Sequence, residues 1–307
     1  MNIEPSNTHY ASITDIISTE KVLFHEPMNR HTSFRIGGEA DCFVTPTTVE
    51  EIATVISWCK EQSIPYYIMG NGSNLLVSDK GFRGVIVQLY KQFSTINIEG
   101  QILTAQAGAL LSTIANRALK AHLSGLEFAH GIPGTLGGAL MMNAGAYDGE
   151  MSHVIQKATV IDDMGSVFDL THKELDLGYR CSIFSYKPYI VLEATMELQS
   201  GVYEEILSKM SLFTEKRTSK QPLEFPSAGS TFKRPPGFYA GQLIQEAGLK
   251  GYKIGGAQVS EMHSGFIINC GGATAADVLA LIKHVQDSVL KNSGILLEPE
   301  VKRIGEF

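Results

Sequence analysis

Residues 131–147 read GIPGTLGGALMMNAGAY, with glycines at 131, 134, 137, 138 and 145, one proline and no charged residue. The stretch sits in the middle of the chain and is not a terminal tail. Glycine lacks a Cβ, admits positive φ and lets main-chain N–H groups approach a ligand closely. Successive N–H groups in such turns make a concavity for an anion, the natural partner of a pyrophosphate. A second stretch of the same chemistry, GNGSN at 70–74, precedes it. Taken singly, each also suits a tight turn, and the longer one suits close helix packing. Together, with apolar neighbours and with Ser73, Asn74 and Thr135 as side-chain donors, they suit a large ligand with a negative bridge and flat apolar ends. A dinucleotide fits that description.

Outward from these loops, strand and helix patterns are mixed. TTVEEIATVISWCKEQ starts a helix, with Thr48 and Glu51 as a capping box and Val49, Ile52, Val55 and Ile56 at helical spacing. IPYYIMG, GVIVQL and ILTAQAG read as strands around the NGSN turn, and LLSTIANRALKAH as a second helix. VIQKATVID, DMG and SVFDLT form a hairpin, YIVLEATMEL a further strand and YEEILSKMSLFTEKR a third helix. Prolines and glycines in TSKQPLEFPSAGSTFKRPPG interrupt every period and mark a domain boundary. Beyond it lie a short helix ended by Gly248, the strand FIINC, and the strongest helix, TAADVLALIKHVQDSVLKNSG, opened by Thr274 and Asp277 and stopped by Gly294. ILLEPEVKRIG closes the chain as a strand. Hairpins among the crossovers argue for an α+β fold and against a doubly wound parallel sheet. No GxGxxG opens a helix after a strand with an acidic residue about 20 positions on, and there is no GxxxxGK[ST] loop.

The 307 residues carry a formal charge of −7, with 44% hydrophobic and 19% charged residues, and no basic excess points to nucleic acid. The N-terminus lacks a basic start and apolar core, so it is not a secretory signal, and no run of about eighteen apolar residues predicts a membrane span. Cys42, Cys59, Cys181 and Cys270 are scattered, which fits reduced thiols in a cytoplasmic protein. Neither cysteines nor histidines have metal-ligand spacing, and no metal is expected.

TSFRIGGEADCFVTP, MGNGSNLLVSDKGFRGVIVQL, GLEFAHGIPGTLGGALMMNAGAY, GYRCSIF, SAGSTFKRP, HSGFIIN and LEPEVKRIG, in this order from about Asn29 to Gly305, resemble the UDP-N-acetylenolpyruvoylglucosamine reductases of bacterial peptidoglycan synthesis. The resemblance implies a two-part FAD-binding unit of the vanillyl-alcohol-oxidase type, NADPH as reductant and a separate α+β substrate domain. It implies divisions at 21–90 and 91–219 for the flavin-binding parts, the second joined by the closing strand 295–307, and 220–294 for the substrate domain. In that family the enolpyruvyl ether of a UDP-sugar is reduced to the lactyl ether of UDP-N-acetylmuramate. Hydride from NADPH reaches the β-carbon by way of FAD, and a proton reaches the α-carbon.

On this resemblance FAD lies against Gly70, Asn71, Gly72, Ser73, Asn74 and Leu75, and against Gly131, Ile132, Pro133, Gly134, Thr135, Gly137 and Gly138. Asn143, Ala144, Gly145 and Arg217 complete the cofactor set. Ser230 matches the proton donor, a poor acid that serves only because an α-carbanion is basic and aligned with it. The small Ala228 and Gly229 before it let backbone and substrate press on the flavin. Arg180 matches the residue that forks two N–H groups onto the carboxylate as charge develops there. Glu300 matches the third catalytic position. Spacing alone leaves Glu298 and Glu300 equivalent, and only the family pattern selects Glu300. Lys216, Arg217 and Lys220 suit the end of a helix, and the family pattern adds Lys220 as a charge for the substrate.

The interval from Arg180 to Ser230 is too short for the tyrosine-bearing loop of the longer subclass. Arg234 and His263 stand where that subclass has Asn and Gln, and both are substrate-binding candidates of a shorter subclass. The family also suggests a monomer. Two rivals remain. An oxidase of the same flavin fold would not need the serine of SAGSTF, and a nucleotide-binding module would not need Arg180, Ser230 and Glu300 together.

Overall fold

The computed structural model describes residues 10–307, and the N-terminal reading over residues 1–9 lies outside them. The chain forms two compact units, each assembled from separated stretches. The first holds residues up to His25, Asp41–Asn71 and Gly84–Lys216, and the second Glu26–Ala40, Gly72–Arg83 and Arg217–Phe307.

In the first unit helix α1 (Val49–Glu61) starts where Thr48 accepts a hydrogen bond from Glu51 N. The expected capping box is incomplete. The Glu51 carboxylate turns instead to Thr47 N at 2.7 Å and to Lys21 Nζ at 2.6 Å. The buried face of α1, Ile52, Val55, Ile56 and Cys59, follows helical spacing. A four-stranded sheet runs in the order Val22–Pro27, Glu39–Val44, Phe82–Gln88, Tyr66–Met69, and its last two strands are parallel. The larger sheet has the order Val167–Thr171, Ile155–Ile161, Ile190–Glu197, Ile102–Gln106, Ile96–Glu99, antiparallel throughout. Its Ile161↔Val167 register is the hairpin expected around DMG. Helix α2 (Leu111–Lys120) buries Ile114, Ala115 and Ala118. The short α3 (Leu136–Met141) packs on the 190–197 strand, and α4 (Tyr203–Thr218) buries Ile206 and Met210. All of this closes over one apolar core.

The second unit has its own core around Phe34, Ile36, Leu76, Ile267 and Leu297. Its antiparallel sheet has the order Ser227–Ser230, Phe266–Asn269, Ala257–Val259, Lys253–Ile254. Helix α5 (Ala240–Glu246) is followed by Gly248 at φ +72. Helix α6 (Ala275–Ser293) has the Thr274–Asp277 capping box, and Gly294 closes it at φ +73. Both glycines sit in the left-handed region that favours them at such ends.

The expected boundary near 220 lies close to the passage at Lys216–Arg217. The sequential division at 21–90 differs from the observed units, because Phe34, Ile36 and Leu76 belong to the second core. The closing stretch is shorter as a strand than expected, Lys302–Ile304, and it pairs in parallel with Leu75–Val77 in the second unit.

Candidate active site

In the first unit Gly70 and Asn71, which open the first glycine stretch, meet the second stretch. Strand 66–69 ends at Gly70, where a Cβ would lie 2.1 Å from Thr135 Oγ1. Only glycine allows this approach. Asn71 Nδ2 donates to Pro133 O at 2.7 Å, and Gln88 Nε2 donates to Gly70 O at 3.1 Å. From the other side Leu111 N donates to Gly134 O, while Leu136 N and Gly137 N donate to Ala109 O and Ala107 O. The 131–138 segment is thus pinned on the loop before α2, with Thr135 buried and Ile132 against the core. No Asp or Glu occurs in 70–75 or 131–145. The carboxylate-free meeting of Gly70 and Asn71 with residues 131–138 suits the pyrophosphate of the dinucleotide that the resemblance implies.

Asn143, Ala144 and Gly145 follow α3. Asn143 is 1% exposed at φ +42, and its side chain is engaged inside the protein. Nδ2 donates to Glu150 Oε1 at 3.0 Å and to Gly178 O at 3.3 Å, and Oδ1 accepts from Ser152 N at 2.9 Å. A cofactor contact at 143 is therefore left to the main chain. Gly178 and Cys181 exchange backbone hydrogen bonds, and Arg180 sits in the turn between them at φ +55. Its guanidinium lies 5.3 Å from the centre of the Tyr179 ring. Glu150 was absent from the sequence-derived set. No spacing marks it, because its relation to the 178–181 turn is made through space by Asn143.

The second unit holds Ser230 and Glu300. The 227–230 strand slips register against 266–269, and within the slip Gly229 takes φ +76 with nothing within 4 Å of the place of its Cβ. A β-branched or larger residue would not adopt that conformation. The slip brings Ser230 to an exposed strand end, while Ala228 turns into the core, where its small size serves packing. One residue on, Thr231 O accepts from Glu300 N at 2.8 Å, and Phe232 bridges to Pro299. Asn74 Nδ2 donates to Glu300 O at 3.3 Å, and Lys302 N donates to Asn74 O. Glu300 is therefore fixed by the Ser230 segment on one side and the glycine-loop segment on the other. Glu298 differs: its carboxylate forms an exposed ion pair with Lys233. The two glutamates that spacing left equivalent have separate environments.

Gly72, Ser73 and Leu75 belong to this unit, where Gly72 O accepts from Ser33 N and buried Leu75 is part of the ladder to 302. Arg217 lies in the last turn of α4, and its carbonyl accepts from the amides of Lys220 and Gln221. Lys220 is exposed beyond that helix. The Arg234 guanidinium stacks 4.0 Å from the Tyr239 ring centre, and its Nε donates to Phe238 O. His263 Nδ1 accepts from Gly265 N at 3.1 Å, and burial lowers its pKa. That histidine is therefore neutral near pH 7, with its proton on Nε2. Ser230 and Glu300 are thus linked within one unit, while Arg180 belongs to the other. Among the described residues no group of His, Cys, Asp or Glu could hold a metal ion, and no helix is long and apolar enough to cross a membrane.

Residues 40–171 match the family described as FAD binding domain, and residues 221–304 match the C-terminal domain of UDP-N-acetylenolpyruvoylglucosamine reductase. The chain is 55% identical to a UDP-N-acetylenolpyruvoylglucosamine reductase of Clostridium botulinum, over 95% of each chain. It is 52% identical to that of Clostridium perfringens, over 96% of this chain and 97% of the relative. The crystal structure of the Thermus caldophilus reductase superposes with a TM-score of 0.80 at 37% identity, covering 92% of this chain and 98% of that one. Paired glycine loops, a bulged strand carrying Ser230 and agreement over almost the whole length lead to one conclusion: the chain belongs to the UDP-N-acetylenolpyruvoylglucosamine reductase family.

Proposed function

We propose that Ser230, Arg180 and Glu300 carry the chemistry of this enzyme, with Ser230 as the proton donor. The protein is an FAD-containing, NADPH-dependent oxidoreductase of peptidoglycan precursor synthesis. It reduces UDP-N-acetyl-3-O-(1-carboxyvinyl)-glucosamine to UDP-N-acetylmuramate. When bound, FAD supplies a carrier that accepts hydride from NADPH and delivers it to the β-carbon of the enol ether.

The glycine loops at 70–75 and 131–138 hold the dinucleotide, and Arg217 adds a positive charge for it. Arg180 takes the substrate carboxylate in its guanidinium fork, where negative charge grows as hydride arrives at the β-carbon. Ser230 Oγ gives its proton to the α-carbon, and Glu300 orients the enolate. Lys220, Arg234 and His263 meet the nucleotide-sugar part of the substrate, His263 as a neutral donor through Nε2. The enzyme works as a cytoplasmic monomer with small molecules as its only partners.

One observation carries the role of Ser230: the Gly229 slip exposes this hydroxyl one residue from the main-chain link between Thr231 and Glu300. An oxidase of the same fold has no use for that hydroxyl. The test is a purified, yellow protein that NADPH bleaches without air and that the UDP-enolpyruvyl sugar recolours. Bleaching without recolouring would refute the proposed substrate.

A further inference from the structure

We propose that Asn143 and Glu150 are positioning residues for Arg180, bracing the turn that carries its guanidinium. The inference rests on the assignment of Arg180 to the substrate carboxylate. Arg180 stands at positive φ in a two-residue turn, a conformation that persists in a non-glycine residue only when its surroundings impose it. The surroundings here are specific. Asn143 Nδ2 holds Gly178 O, the carbonyl that opens the turn, at 3.3 Å. Ser182 Oγ donates to Met141 O at 2.9 Å and ties the far side to the end of α3. The backbone is thus held both before and after Arg180.

The same amide fixes Glu150, whose Oε1 accepts from Asn143 Nδ2 at 3.0 Å and also from Ser152 Oγ. The hydrogen bond from Ser152 holds the Glu150 carboxyl below its usual range against the effect of burial. The bond from Asn143 and the charges of His153 and Arg180 act in the same direction. Glu150 is therefore an ionised carboxylate held by Asn143 and Ser152, and its charge acts on that of Arg180. The Asn143 amide is buried with both oxygen and nitrogen engaged, so truncation would release the turn and the carboxylate together.

The test uses FAD-loaded enzyme carrying Asn143→Ala, Glu150→Gln and Arg180→Ala, singly and in pairs. Bleaching by NADPH and recolouring by the UDP-enolpyruvyl sugar are timed separately without air. A displacement of about 1 Å at a positioned group costs up to about 100-fold, so recolouring should slow about 10- to 100-fold in Asn143→Ala. In Glu150→Gln bleaching should change by less than about twofold, because Arg180 serves only the second step. Added to Arg180→Ala, neither Asn143→Ala nor Glu150→Gln should cause further loss, since residues acting through one group are not additive. Flavin content and melting temperature report whether Asn143→Ala folds, and the isosteric Glu150→Gln carries the cycle if it does not. Equal slowing of both steps, or losses that multiply in the Arg180→Ala background, would overturn the positioning role. Unchanged recolouring in Arg180→Ala alone would overturn the Arg180 assignment and the proposal with it.

Discussion

Gly70→Ala probes the meeting of the two glycine loops directly. The added methyl carbon would lie 2.1 Å from Thr135 Oγ1 and 3.1 Å from its Cβ and Cγ2. Carbon contacts settle at about 3.5–4.0 Å, so the loops must part by roughly 1 Å or more. Thr135 has little room to yield: it is 2% exposed, bridged to Leu110, and its carbonyl accepts from Ala139 N. Overpacking of this kind costs about 1–3 kcal/mol. Where the free protein relieves that strain and the FAD-bound state bears it, 1.36 kcal/mol per tenfold makes the loss in FAD affinity up to about 150-fold. The assay is titration of the apoprotein with FAD, followed by quenching of flavin fluorescence, beside a melting curve. Thr135→Ala removes the nearest atom, so Gly70→Ala/Thr135→Ala should regain part of the affinity. A Gly70→Ala protein with native FAD affinity would refute the reasoning. Weakened folding with unchanged affinity would show that these loops do not hold the cofactor.

Three other outcomes follow from the structure. Burial pushes the thiols of Cys42 and Cys59 up to about 12, whereas Cys181 is exposed. In native protein at about pH 8, a disulfide reagent should therefore label Cys181 first and reach Cys42 and Cys59 only on unfolding. Glu127 is buried. Burial alone would raise its pKa, but hydrogen bonds from Ser124 Oγ and Gly125 N and the charge of Lys209 hold it below 4.5. A depressed folded value stabilises above the ordinary one and is lost as pH falls through it, so the melting-temperature gap between wild type and Glu127→Gln should shrink below about pH 4. A gap that widens there would contradict the assignment. Asp277 accepts from Thr274 N at 3.0 Å and Gly256 N at 3.2 Å, and Asp277→Ala should cost about 1–2 kcal/mol by denaturant titration.

What the sequence revealed was mostly local. Thr274, Asp277 and Gly294 mark both ends of α6, and DMG marks its hairpin, because caps and turns depend on residues a few positions apart. The pairing of Leu75–Val77 with Lys302–Ile304 is parallel and more than 200 residues apart, and no local period encodes it. Hence the interleaving of 26–40 and 72–83 with the C-terminal stretch was not legible. The same holds at the site. The glycine loops announced themselves by composition, and Ser230, Arg180 and Glu300 by family motifs. The separation of Glu300 from Glu298, the neutral state of His263 and the engagement of Asn143 emerge only when Lys233, Gly265, Gly178 and Glu150 arrive through space.

The most direct test of the account is a single turnover of Ser230→Ala. The protein is loaded with FAD, bleached with NADPH in the absence of air, and mixed with the UDP-enolpyruvyl sugar. General acids contribute about 10²–10⁴-fold. Bleaching should proceed at close to the wild-type rate, and recolouring should slow by that factor. Recolouring slowed less than about tenfold would show that another group supplies the proton.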